Sequence, residues 1–346
     1  MSAGIVQLIA IGAQDEHIMG SPEISFFSST FKRHSNFSQS VEKQLLQGNV
    51  KSDSMSSVKF EKTGDMLGYV FISMDDNNEA KDEADWSQII NKVELYIGGH
   101  LIDSQDSVFT ENIAIDTFAQ NVTKSSNGPH PGGTSSRSYF YPLRFFFCEG
   151  PQCALPIVAL HYHNVELRIY WGNGVNPNYN YEVYANYYYL DNEERGNIVS
   201  RNHEMLITQV QKNIPSGEPI QDLTFNHPVK YLACSDTTSN GALTSKSNRV
   251  KLNINGLDIG KFRWAKPHFI DVMAYYHTNF VTSPDIFLYC FCLLTSSLQP
   301  TGTLNFSRLD SAKIISESMN ITDPIYAVNY NILRVENGMA GLVYAN

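Results

Sequence analysis

The residues whose types and spacing come nearest to chemistry are His161, His163 and Glu166, in the run Leu155–Trp171, LPIVALHYHNVELRIYW. Two imidazoles two positions apart on a strand project from one face, as a pair of metal ligands would. Parity removes the third group: Glu166 lies an odd number of residues from both histidines, so its carboxylate belongs to the opposite face. A metal centre needs three or four convergent ligands, and no second segment supplies another histidine. The two histidines are therefore expected to be strand residues at the rim of a core, with no metal bound.

Nothing else assembles a reaction centre. The chain has no P-loop, no G-x-G-x-x-G behind a strand, no G-x-S-x-G and no H-E-x-x-H. The acidic stretch Asp75–Asp85 lacks the spacing of an EF-hand loop and reads as solvated. No catalytic residue, cofactor or metal is expected. Asn36, Asn121, Asn305 and Asn320 head N-glycosylation sequons. The N-terminus has no basic region ahead of an apolar stretch, as a secretory leader would, so these asparagines are expected to be unmodified. Five cysteines cannot all pair within one chain, and Cys290 and Cys292 share a strand face, so five reduced thiols are expected.

The elements around these residues are strands. Leu155–Trp171 opens on the apolar run Ile157–Leu160 and then alternates, Val165, Leu167 and Ile169 against Glu166, Arg168 and Tyr170, which predicts one long inner strand. Strands are likewise expected at 58–62, 69–74, 92–97, 139–147 and 181–190. In the second half they are expected at 205–210, 223–225, 229–234, 250–254, 287–294 and 303–309. Gly98-Gly99 is a hairpin turn signal. Asp106-Ser107 is placed to cap a short helix carrying Phe109, Ile113 and Thr117. Lys124–Arg137 is a Gly/Pro/Ser loop. The apolar stretch Gly4–Ala13 should pack under something. The sharpest change of composition is Asp191–Gly196, which divides the chain into an arm 1–22, a first half 23–190, a linker 191–204 and a second half 205–346.

Composition agrees. Of 346 residues 42% are hydrophobic and only 17% charged, with 19 Tyr and 19 Phe, as face-to-face sheets require. A net charge of −10 argues against wrapping nucleic acid. Many short strands with few helices mean an all-β protein of sandwiches or barrels. No internal repeat is visible.

With these segments placed, the chain resembles the major capsid proteins of nucleocytoplasmic large DNA viruses. The likeness runs from Gln7–Asp15 and Gly20–Phe27 through Arg33–Phe37, Val93–Gly99 with Ile102-Asp103, and Leu155–His163. It continues through Leu190-Asp191, Glu194-Arg195 and Phe225–Lys230 to Gly302–Asp310, Tyr326–Arg334 and Gly338–Leu342. It implies a double jelly roll, two eight-stranded antiparallel sandwiches side by side. It also implies a homotrimer of pseudo-hexagonal outline and packing against neighbouring capsomers into an icosahedral shell assembled in the host cytoplasm. Minor capsid and penton proteins and an inner viral membrane would be partners; nucleic acid would not, and there would be no enzymatic activity. The chain is short for the family and its loops modest, which leaves a minor capsid or scaffold homologue as an alternative. Readings of other classes are a cupin-like metalloenzyme using His161 and His163 and a carbohydrate-binding sandwich. Within the double roll, Leu304, Phe306 and Arg308 are expected to share a face of a strand closing the second barrel. Tyr326–Leu333 is then the final strand, and Arg308 and Arg334 are buried and paired, Asp310 being one partner.

Overall fold

The computed structural model describes the chain except residues 1–2, 84–85, 122–123, 125–138, 236–240, 280–285 and 346. The expected loop Lys124–Arg137 therefore lies outside the described residues apart from Lys124. Residues 1–36 and 37–346 form two compact units. The first holds the short helices Ala3–Ile9 and Glu16–Met19, neither with a buried residue. Ile5, Leu8, Ile9 and Ile11 are exposed rather than packed under anything; seven helical residues are too few to fold on their own account.

The second unit contains two pairs of antiparallel sheets. One sheet has the order β1 (Phe37–Gln44), β9 (Asn180–Leu190), β4 (Met66–Asp75), β7 (Phe140–Pro142). It faces a sheet ordered β2 (Leu46–Gln47), β3 (Met55–Lys59), β8 (Val165–Trp171), β5 (Ile90–Ile97), β6 (His100–Asp106). The second pair begins with β10 (His203–Asn213), β18 (Ile325–Glu336), β12 (Pro228–Ser235), β15 (Ile286–Cys290), to which β16 (Leu304–Asn305) and β19 (Met339–Leu342) add at the sides. Its mate is β11 (Ile220–Asp222), β17 (Ala312–Ser316), β13 (Arg249–Ile254), β14 (Leu257–Trp264). Setting aside the short β2, β16 and β19, each half has eight strands among the described residues, and numbered from its own start each has the same two sheet orders, 1-8-3-6 and 2-7-4-5. The repeat invisible in the sequence is thus present in the topology.

Local chemistry explains the elements that were expected. β8 alternates buried and half-buried along its whole length, because it lies between β3 and β5 with one face on the core. The β5–β6 hairpin turns on Gly98 and Gly99, with φ of 60° and 83°; at Gly98 a Cβ would lie 2.3 Å from the His163 ring, so only glycine fits. Asp106 Oδ1 accepts from Phe109 N at 3.0 Å and starts the helical segment 109–117. All five thiols are free.

Several expectations are overturned. The apolar run before β8 is no strand: Ile157–Ala159 is a 3-10 turn after Pro156, so His161 and His163 lie in a loop. A short apolar run buries itself equally well in either conformation, and periodicity cannot separate them. The aromatic run 139–147 is a strand only over Phe140–Pro142 and ends in the turn Phe146–Cys148. Leu223–Phe225 follows a strand rather than forming one, its Leu223 and Phe225 buried as core plugs beyond β11. Of 303–309 only Leu304–Asn305 is strand; Phe306–Arg308 is a 3-10 turn capped by Asn305 Oδ1 on Ser307 N at 3.0 Å, so it does not close the barrel. The expected final strand is instead central, since β18 lies between β10 and β12 with β19 following it. Arg308 and Arg334 are exposed, and Arg334 pairs with Glu204 at 2.5 Å across β10 and β18, not with Asp310. Strands β1, β2, β11, β14, β17 and β19 were not foreseen, and β6 only as the partner that the Gly98-Gly99 hairpin implies.

Candidate functional site

The candidate site of this molecule is the seam where the two halves meet. On the first half it is built by β6 and the helical segment 109–117; on the second by the outer face of the sheet β10-β18-β12-β15.

β6 carries its polar residues inward. Asp103, 4% exposed, receives Val210 N at 2.9 Å and Ser104 N at 3.0 Å on Oδ1, and Gln105 Nε2 at 2.8 Å on Oδ2. Gln105 Nε2 also donates to Arg144 O at 3.0 Å. From the other half, Gln209 Nε2 donates to Ile102 O, while its Oε1 accepts from Asn331 Nδ2 at 2.9 Å. Burial pushes the Asp103 carboxyl up to about 7, against the pull of its three donors, because desolvating the anion outweighs them. At the end of β6, Asp106 Oδ2 accepts from Lys212 Nζ at 2.6 Å and from the Tyr326 hydroxyl at 2.7 Å.

Apolar packing follows. Phe109, Ile113, Ala114 and Phe118 share one cluster with Tyr231, Ala233, Ile286, Leu288, Tyr326 and Val328 of the second half. Phe109 meets Tyr326 and Phe118 at ring-centre distances of 5.7 Å each. Fully buried aromatics of this size dominate the energetics of such a contact. The Arg144–Glu149 pair, 3.7 Å apart, is buried at the same seam; Lys124 Nζ donates to Glu149 O at 2.7 Å, and Lys230, 3% exposed, donates to Thr295 O at 2.9 Å. Burial raises the Glu149 carboxyl, opposed mainly by the Arg144 guanidinium.

The residues first considered for metal chemistry belong to this seam or to the surface. His163 Nδ1 receives Ala340 N at 3.1 Å, and Tyr162 N donates to Gly338 O at 3.0 Å, so the loop fastens onto the β18–β19 hairpin. His161 points outward, and Glu166 pairs with Arg168 at 2.8 Å. No cluster of three metal-ligating side chains exists among the described residues. Asn36, Asn121, Asn305 and Asn320 are all exposed. Sequence reasoning missed Asp103, Gln105 and Gln209. The available signal was polar residues alternating along a strand next to a hairpin, which without a partner looks like a solvent face.

Comparison with known proteins places this architecture. The model of the major capsid protein N-terminus matches residues 25–191, and that of the large eukaryotic DNA virus major capsid protein matches 194–341. The major capsid protein of Pyramimonas orientalis virus is 31% identical with the whole of both chains covered; the alignment takes 398 positions against 346 residues here, so that relative carries insertions. The major capsid protein of Paramecium bursaria Chlorella virus 1 is 29% identical over the whole of both chains. The solved structure of PBCV-1 VP54 superposes with a TM-score of 0.78 and 25% identity, covering 93% of this chain and 100% of that one. The Faustovirus major capsid protein shares the fold at a TM-score of 0.70 and 11% identity, covering 94% of each chain. With two same-topology jelly rolls joined by a buried seam, and family models matching both, this chain belongs to the major capsid proteins of large eukaryotic DNA viruses.

Proposed function

We propose that the chain is the main shell protein of its virion, acting as a homotrimer whose three pairs of rolls form a pseudo-hexagonal capsomer, and that it has no enzymatic activity. The observation that carries this is the repeated roll topology with a buried, hydrogen-bonded seam. A chain with two equivalent rolls supplies six from three copies, and the seam fixes their spacing. The domain division follows: an arm to residue 36, a first roll over Phe37–Leu190, a connector containing the helix Asn192–Ser200, and a second roll from His203. The arm's exposed Ile5, Leu8, Ile9, Phe26, Phe27 and Phe31 favour contacts with other virion components, among them neighbouring capsomers, minor capsid and penton proteins and an inner membrane. Assembly in the host cytoplasm accords with five free thiols. Exposure makes Asn36, Asn121, Asn305 and Asn320 accessible to glycosylation should the chain meet that machinery; on this reading they stay unmodified. Light scattering on a sizing column should give about three times the 38.9 kDa chain mass. A monomer at every concentration would refute the proposal.

A further inference from the structure

We propose that the seam encloses a binding site for water, a small chamber in which a few ordered molecules bridge Glu149 of the first roll to Lys230, Thr295 and Tyr330 of the second. The guest is then a component of the seam, carrying hydrogen bonds from one roll to the other.

The chamber begins with an irregularity in β12. That strand pairs with β18 as Val229 with Asn329 and then Tyr231 with Val328, so Lys230 is an extra residue, a β-bulge. A bulge re-aims the side chain it carries. Without it, alternation would turn Lys230 to the side of Leu232 and Cys234, which pack in the core of the second roll. Instead its ammonium lies on the seam side, where Nζ donates to Thr295 O at 2.9 Å and sits 5.2 Å from the centre of the Tyr330 ring. Tyr330 continues the face of β18 that sets Tyr326 and Val328 against the first roll. Glu149 enters from that roll, directly after the turn Phe146–Cys148.

These four side chains line one cavity of about 40 Å³. At about 10–15 Å³ for each molecule, it has room for two or three waters. Glu149, Lys230, Thr295 and Tyr330 are only 7%, 3%, 0% and 6% exposed. Three of their polar atoms, Glu149 Oε2, Thr295 Oγ1 and the Tyr330 hydroxyl, have no hydrogen-bond partner among the described residues. Protein interiors leave few such atoms, and three around one cavity point to what fills it.

The mixture of groups names the guest. A cation would meet the Lys230 ammonium, and an anion the Glu149 carboxylate. Burial raises that carboxyl, but the charges of Arg144, Lys124 and Lys230 oppose the rise and favour the ionised form. An apolar guest would leave all three atoms unpaired. Water both donates and accepts, so it serves the carboxylate and the ammonium together, and the two hydroxyls take whichever role remains.

Tyr330→Phe and Thr295→Val each delete one hydroxyl at nearly constant shape, and phenylalanine keeps a ring beside Lys230. A buried hydroxyl with no partner costs stability, so deleting it leaves the denaturation midpoint unchanged or higher; deleting one bound to water lowers it. The urea midpoint of the full chain is expected to fall in both variants, and an unchanged or higher midpoint would overturn the proposal. A high-resolution crystal structure of the parent provides a second readout that needs no variant. Density for water within hydrogen-bond distance of Glu149 Oε2, Thr295 Oγ1 and the Tyr330 hydroxyl is expected; a cavity without density would refute it. Crystals soaked in sodium bromide or rubidium chloride address the other guests. An anomalous peak in the chamber would assign it to an anion or a cation and overturn the proposal.

Discussion

β6 and β14 hold the same place in two rolls of the same topology, yet their chemistry is inverted. The buried edge, HLIDSQD, hides Asp103 and Gln105; the exposed edge, LDIGKFRW, presents Leu257, Ile259 and Trp264. Hydropathy ranks the two strands the wrong way round. β6 is buried because β10 stands beside it, Val210 N donating to Asp103 and Gln209 Nε2 to Ile102 O, while Gln105 donates to Asp103 and to Arg144 O; pairing of this kind is what lets such groups be buried. β14 has only β13 as a partner among the described residues. An edge bearing apolar side chains is an invitation to a neighbour, and its charges Asp258, Lys261 and Arg263 restrain indiscriminate pairing.

The largest test removes the strand that holds β10 in place. A chain ended after Asp323 loses β18, which pairs with both β10 and β12. It should express without a folded second roll and aggregate; a soluble product melting like the parent would show that the cover over β6 does not depend on that sheet. Next, alanine in matched positions should read the contrast directly. Ile102→Ala in β6, at 0% exposure, should cost about 2–5 kcal/mol by chemical denaturation. Ile259→Ala in β14 should change the stability of the isolated chain by no more than about 0.5 kcal/mol. Equal losses would erase the difference between the edges.

Asp103 gives the pH dependence of the seam. Its folded carboxyl, held up to about 7, binds a proton that the unfolded chain, at an ordinary aspartate value near 3.8, has released. Its contribution to stability is therefore fully present below pH ~4, is lost as pH rises through about 7, and is flat above. The amplitude is on the order of 4 kcal/mol. Asp103→Asn, which cannot titrate, should remove that decline from the stability–pH profile while other groups continue to titrate; parallel profiles would refute the assignment. The smallest effect belongs to Arg334→Ala. Arg334 and Glu204 are 49% and 58% exposed, and such a pair should cost no more than about 0.5 kcal/mol in a thermal melt. A larger loss would restore the buried cation that the sequence suggested.

The sequence by itself determined what depends on near neighbours along the chain. The alternation of 165–171 made a one-faced strand, Gly98-Gly99 made a hairpin, and Asp106 made a helix cap. The quoted segments were enough to show the family. Tertiary structure decided what depends on distant partners. Ile157–Ala159 became a turn because its burial comes from packing around it rather than from a sheet, and periodicity is blind to that. The inward face of β1, FSQSVEKQ, is the polar set Ser40, Glu42 and Gln44, and β14 is exposed except for half-buried Phe262, so no apolar pattern marked them as strands. Asp103 and Gln105 looked like a solvent face until β10 was set beside them. A local pattern records which side of an element is apolar; only the assembled fold determines what stands against each side.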